Sequence, residues 1–233
     1  MILLMKSEHA PPSIVIPKGL VIGYPARKLS GQKNPNRLAT TANELRLENG
    51  RHLLLARNGR GKTTLLKTIA GIIPSLAEKI ERTGNIQFVD EDLRFDPEMK
   101  PRAIFGAFFR KDDRKFALEM AERIELDVDR AYGKLSKGNR QKVSLIVAET
   151  KARSGGPQVL LLDEPFSGLD FVARENVDAV WREREDEIVR LVCVHPDEPT
   201  LRANSALLIR DGRLEQLAVD GSLDWNETKE SLN

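Results

Sequence analysis

The chain alternates short apolar runs with longer stretches whose apolar residues recur at helical spacing. "SIVIPKGLVIGY" (13–24) reads as one or two strands, and "PARKLSGQKNPNR" (25–37), rich in Pro, Gly, Asn and basic residues, as a loop. "RHLLLA" (51–56) is a short apolar run. "TTLLKTIAG" follows it, with Leu65, Leu66, Ile69 and Ala70 on one helical stripe and Gly71 and Pro74 as the stop. "GNIQFV" (84–89) predicts a further strand. Residues 98–131 predict helix, because Phe116, Met120 and Ile124 recur four apart with Ala117 and Ala121 beside them. Another helix begins at "LSKGNRQKV" and is ended by Gly155, Gly156 and Pro157. "VLLLD" (159–163) and "IVRLVCV" (188–194) are continuous apolar runs, as in parallel strands buried on both faces. Between them Ala173, Val177, Val180 and Trp181 mark one face of a helix over 171–187, and "ALLIRDGRLEQLAV" (206–219) predicts a hairpin turning at Asp211-Gly212. Strands alternating with helices imply an α/β domain with a mainly parallel sheet. Such sheets bind ligands outside the carboxyl ends of their strands.

Composition narrows the function classes. The chain has 233 residues, room for one large domain or one with a small inserted lobe. Its 37 basic and 35 acidic residues leave a net charge of +2, which argues against nonspecific binding to nucleic acid or anionic lipid. Cys193 is the single cysteine, so no internal disulfide forms, which suits a reducing compartment. "MILLMKSEHAPPS" is too short and too soon interrupted for a secretory signal. No apolar run approaches the roughly 20 residues of a membrane helix, so a soluble chain is expected, with any membrane role passing through a partner.

Three stretches carry candidate chemistry. The first is "ARNGRGKTT" (56–64), close to a phosphate-binding loop but with Ala56 where that pattern has its first glycine. It lies between a predicted strand and a predicted helix. Gly59 and Gly61 let successive N–H groups turn inward to an anion, and the helix from Lys62 adds its positive end. Lys62 would reach the terminal phosphates of a nucleotide and Thr63 would ligate Mg²⁺. The second is "QVLLLDEP" (158–165), where Asp163 ends an apolar strand 100 residues after Thr63 and Glu164 follows. One acid there can hold hydrated Mg²⁺, and the other can orient the attacking water. In the third, "LSKGNRQKV" (135–143), Ser136 can cap a helix whose start, with Gly138, makes a second anion site.

Together and in this order, these stretches resemble the ATP-binding cassette (ABC) ATPases, the nucleotide-binding subunits of ABC transporters. "LSKGN" looks like their signature, usually written LSGGQ, "VLLLDEP" like their Walker B strand, and "SGLD" (167–170) like their D-loop. His195 falls where the family's switch histidine follows a strand, and Tyr24 matches its adenine-stacking aromatic. The resemblance covers about residues 14–217. It implies an α/β P-loop NTPase fold with a mainly parallel core sheet, an N-terminal antiparallel β subdomain and a short helical subdomain inserted at about 92–150. A flexible arm (1–13) and a loose tail (218–233) complete this division.

The resemblance implies a head-to-tail pair of subunits, identical or related, with two ATP molecules between them. Tyr24, Asn58, Gly59, Gly61, Lys62, Thr63 and Thr64 would bind ATP. Thr63 and Asp163 would hold Mg²⁺. Glu164 would act as general base or position water, with Lys62 and His195 on the γ-phosphate. Ser136, Lys137, Gly138 and Asn139 of the other subunit would close the site, and Asp170 would signal across the interface. Integral membrane subunits would be further partners, placing the chain on the cytoplasmic face of the membrane, with no nucleic acid expected.

Departures from the pattern define the open points. Ala56 is tolerable at negative φ and strained at positive φ. Asn139 replaces the signature glutamine. A family glutamine that touches Mg²⁺ and the membrane partner has no clear counterpart; the best register puts Glu91 there, a hard oxygen donor, while Gln87 lies inside a predicted strand. The short helical lobe looks most like those of compact bacterial exporters, which points to export. Phe105, Phe108 and Phe109 there form either a core stripe or part of a docking surface. Two rival readings are a soluble ABC-type ATPase acting on DNA or translation, and a nucleotide-binding regulatory module with weak or no turnover.

Overall fold

The computed structural model describes residues 10–26, 34–90, 92–155, 158–195 and 202–218. Glu91 lies outside the described residues, as do 1–9 of the predicted arm and all of the predicted tail except Ala218.

Eleven strands and five α-helices are described. In chain order they are β1 (Ser13–Ile16), β2 (Val21–Tyr24), β3 (Asn36–Thr41), β4 (Leu45–Leu47), β5 (Gly50–Ala56), α1 (Lys62–Ile69), β6 (Glu81–Thr83), β7 (Asn85–Val89), α2 (Pro101–Phe108), α3 (Lys111–Arg123), α4 (Lys137–Ser154), β8 (Gln158–Asp163), α5 (Phe171–Arg182), β9 (Ile188–Cys193), β10 (Ser205–Arg210) and β11 (Arg213–Ala218). The larger sheet has the order β2-β3-β11-β10-β5-β9-β8-β7, and its five strands from β10 to β7 are parallel. A small antiparallel sheet, β4-β1-β6, lies beside it. This is the expected fold class.

The parallel strands are buried on both faces, and alternation along them feeds two cores. Leu53, Leu55, Leu160, Leu162 and Val192 face a core shared with α2 to α5. Leu54, Ala56, Leu161, Leu191 and Cys193 face the other, shared with α1 (Leu65, Leu66, Ile69) and strands β1 to β4. The period of two along each strand thus places helices on both sides of the sheet.

Several boundaries depart from the sequence reading. The stretch 98–131 is two helices, not one. Phe109 and Arg110 between them are extended, which turns Phe109 into the core while Phe108 stays exposed. The spacing-four pattern belongs to α3 alone. The cluster of three phenylalanines divides accordingly, with Phe105 and Phe109 buried. The helix expected over 171–187 ends at Arg182, because the charged run after it offers nothing to bury; a short 3₁₀ turn, Glu185–Glu187, follows. The predicted loop 25–37 gives way to β3 at Asn36, and β3, β4 and β6 had no counterpart in the reading.

Two charged pairs lie inside the helical core. Arg190 of β9 makes a two-pronged bond to Glu149 of α4, at 3.0 and 3.3 Å. Arg51 of β5 pairs with Asp178 of α5. The two guanidinium groups stand 5.0 and 5.8 Å from the ring of Trp181, also on α5. Helices α4 and α5 are thereby tied to the strands that end at the candidate site.

Two outcomes are expected from this packing. Glu149→Ala strands a buried guanidinium and lowers the unfolding free energy by about 3–5 kcal/mol in urea titrations, while the double change Glu149→Leu, Arg190→Met recovers most of it. His52, buried between Ser205 Oγ and the Glu48 carbonyl (both 2.8 Å), has its pKa lowered by burial, with the Glu48 hydrogen bond opposing. The unfolded chain therefore takes up the proton first as pH falls. Stability is full above about pH 6.5, the ordinary imidazole value, and declines below it. His52→Gln is expected to flatten that slope in thermal unfolding measured across pH.

Candidate functional site

The loop after β5 begins without strain. Ala56 is fully buried at the end of β5, paired in register with Ile209, and is not among the non-glycine residues at positive φ. The missing first glycine therefore costs nothing in backbone strain. The turn then needs left-handed backbone at Gly59 (φ 75°) and Gly61 (φ 105°), the second being the N-cap of α1. No side chain caps α1 and no acid stands in its first turn, so its positive end is not neutralised within the helix. Lys62 folds back over the loop and donates to the Ala56 carbonyl (3.1 Å) and to Asn58 Oδ1 (3.2 Å). Arg57 and Arg60 are exposed.

Strand β8 delivers the acids. Asp163, buried, accepts a 2.7 Å hydrogen bond from Thr63 Oγ1. A hydroxyl and a carboxylate at this spacing form a hard-oxygen pair of the kind Mg²⁺ takes. Among the described residues no three His, Cys, Asp or Glu come together as a metal cage, so further ligands would have to come from nucleotide and water. Glu164 sits at φ 48°, in the left-handed region. Such a conformation costs roughly 1–3 kcal/mol and persists only where surroundings enforce it. Here its N–H donates to the Cys193 carbonyl (3.2 Å) and its own carbonyl accepts from Ser167 N–H (3.1 Å). Burial first, and the nearby Asp163 carboxylate second, push the Cys193 thiol well up in pKa.

Glu164 and His195 line one cleft of ≈ 310 Å³, together with Ser167, Gly168 and Arg174. Tyr24 is 42% exposed, and its hydroxyl bonds Thr64 Oγ1 at 3.1 Å. The aromatic is therefore anchored to the phosphate-loop helix. Gln87 is excluded as a strand-end ligand: it lies within β7 and donates to Gln158 Oε1 at 3.1 Å.

Ser136 caps α4 by accepting from Asn139 N–H (3.2 Å), a contact typically worth ~1 kcal/mol. The first turn of α4 packs on the loop carrying Glu164 and Asp170. A β-carbon on Gly138 would collide with the Gly168 carbonyl oxygen, and one on Gly168 would stand 3.2 Å from Gly138 Cα. One helical turn on, the buried Lys142 pairs with Asp170 at 3.4 Å. Asp170 also caps α5 through Ala173 N–H (2.8 Å); that amide first, and then Lys142, hold its carboxyl below the usual range. Arg174 bonds the carbonyls of Leu169 (3.0 Å) and Phe166 (3.3 Å), stapling the loop from the other side.

Lys142, Gly168, Arg174 and Cys193 were absent from the sequence-level site. The available signal was modest: Lys142 stands one turn after Gly138, and Gly168 lies inside "SGLD". Their pairing is tertiary. Glu91, the candidate for the glutamine position, lies outside the described residues.

The family model described as ABC transporter matches residues 42–167. The aliphatic sulfonates import ATP-binding protein SsuB 2 of Frankia alni is 34% identical over 169 residues, covering 70% of this chain and 67% of that protein. The sulfate/thiosulfate import ATP-binding protein CysA of Thermosynechococcus vestitus is 32% identical over 192 residues, covering 73% and 56%. The chain thus spans between about half and two thirds of the length of such relatives. A solved ATP binding subunit of an ABC transporter shares the fold with a TM-score of 0.69 at 18% identity, over 96% of this chain and 94% of that one. These two curated relatives are named as importers, against the export suggested by the short helical lobe. The lobe itself is two short helices, α2 and α3, packed in one core with α4. With more than half of its residues inside the matched region, the chain belongs to the ABC transporter family, as one of its ATP-binding proteins.

Proposed function

We propose that this chain is the Mg²⁺-dependent ATP-hydrolysing subunit of an import system whose membrane-spanning subunits are separate chains. The observation that carries the reading is the Thr63–Asp163 contact, which joins the phosphate loop to the strand end bearing Glu164, beside the cleft that Glu164 shares with His195. The importer names of the relatives support the direction. Among the described residues no helix is long and apolar enough to cross a membrane. The proposal gives the spanning role to partner chains, with this chain on their cytoplasmic side.

Each residue has a role that follows from its place. The amides at the start of α1, together with Lys62, hold the phosphates. Thr63 and Asp163 would hold Mg²⁺, which when bound would supply neutralisation of charge on the transferred phosphoryl group. Glu164 would orient water in the cleft it shares with His195, and His195 would meet the γ-phosphate. Tyr24 offers an exposed ring to the adenine. Ser136, Lys137, Gly138 and Asn139 would engage the nucleotide of a second such subunit. The proposed domain spans 14–217, with 92–150 as the helical lobe. A module without turnover loses part of its motivation, because Ala56 fits its place in β5.

Glu164→Gln keeps the shape of the cleft and removes the base. ATP binding by calorimetry is expected to persist, while steady-state hydrolysis drops by about 10²–10⁴-fold. Hydrolysis at the parent rate would remove Glu164 from the role. Gly138→Ala forces α4 away from Gly168 and is expected to lower hydrolysis at least as much as Ser136→Ala, with ATP binding to the isolated subunit little changed.

A further inference from the structure

Arg174 stands one turn into α5, and its bonds run back to the loop that carries Glu164. Its main-chain N–H donates to the Asp170 carbonyl (3.2 Å). In the side chain, Nε–H donates to the Leu169 carbonyl (3.0 Å) and Nη2–H to the Phe166 carbonyl (3.3 Å). The same side chain lines the cleft with Glu164, Ser167, Gly168 and His195.

That loop is two tight turns in series. Ser167 N–H closes the first on the Glu164 carbonyl (3.1 Å), and Leu169 N–H closes the second on the Phe166 carbonyl (3.0 Å). Glu164 opens the first turn at φ 48°, a conformation that persists only while its surroundings hold it. The side chains of Phe166 and Leu169 are buried in the helical core, Phe166 with its ring centroid 5.2 Å from that of Trp181. Apolar burial fixes where these residues sit, but it is non-directional and does not aim their carbonyls. A guanidinium does. Its donors project in a rigid fork, so two carbonyls bonded to it cannot turn independently, whereas an ammonium is a point charge on a flexible stem.

We propose that Arg174 is a positioning residue for Glu164: by clamping the Phe166 and Leu169 carbonyls it holds the two turns that set the Glu164 carboxylate in the cleft. The proposal rests on the role given to Glu164 above and adds to it the group that keeps that acid in place. A misplacement of about 1 Å at a reacting group costs on the order of 10²-fold in rate, so a slackened loop is expected to show in turnover before it shows in binding.

The test measures ATP hydrolysis, in the steady state and in single turnovers, by the full chain carrying Arg174→Met, Arg174→Lys or Glu164→Gln, and by each Arg174 change combined with Glu164→Gln. Arg174→Met is expected to lower kcat about 10–100-fold with KM for ATP within about twofold of the parent. Arg174→Lys keeps the charge without the fork and is expected to lose about tenfold in kcat. In the Glu164→Gln background, neither change is expected to lower the residual rate more than about twofold further, because both act through one carboxylate. Parental kcat in Arg174→Lys would overturn the proposal, and so would a loss that multiplies in full onto that of Glu164→Gln or that lies in KM alone. The Lys variant decides the matter if Arg174→Met does not fold. Hydrolysis at the parent rate in Glu164→Gln would instead remove the reading on which the proposal rests, so the two failures are distinguishable.

Discussion

The parallel ladder of β8, β9 and β5 is the constraint on which the rest of this structure depends. Its register sets Asp163 beside Cys193 and brings the end of β5 alongside both. Three strand ends at one level deliver the phosphate loop, the acidic pair and His195 to the same rim. These strands are buried on both faces, and slipping a strand by one residue would exchange its two cores and set Asp163 against the wrong neighbour. The cost of moving that much apolar surface far exceeds any single polar contact at the site, so the cores fix the chemistry's geometry.

The second level of organisation is the attachment of α4 and α5 to that ladder. Arg190 and Arg51 reach from the strands into the helical core, each neutralised by a carboxylate from a different helix, with Trp181 close to both. At the opposite ends of the same helices, Gly138 lies against Gly168, and Lys142 pairs with Asp170. The first turn of α4 and the loop from Glu164 to Asp170 are therefore held together by two contacts within one chain. Close backbone contact leaves little slack between them.

Elements with strong periodicity or continuous apolar runs were legible in the sequence. These include β5, α1, β7, β8, β9 and the β10–β11 hairpin, whose turn at Asp211-Gly212 uses two positive φ angles as that dipeptide predicts. Strands β3, β4 and β6 were not legible: they are short, partly exposed, and defined by their neighbours rather than by their own pattern. The break between α2 and α3 escaped because Phe109 looks like a helical core residue and is in fact extended. At the site, the residue types at strand and helix ends were legible from the motifs. The pairings Lys142–Asp170, Gly138–Gly168 and Cys193–Asp163 were not, since each joins segments separated by at least 28 residues. The fault at Ala56 proved harmless for a local reason, its place inside a strand.

The central claim is that Thr63 and Asp163 form the metal end of an ATP site facing Glu164 and His195. The most direct measurement is a crystal structure of the chain with Mg²⁺ and a slowly hydrolysed ATP analogue. The account predicts the phosphates along the loop from Arg57 to Thr64, the metal within ligand distance of Thr63 Oγ1 and linked to Asp163 directly or through one water, and the terminal phosphate turned towards the Glu164–His195 cleft. Phosphates seated elsewhere, or a Thr63–Asp163 hydrogen bond unchanged beside a bound nucleotide, would contradict it.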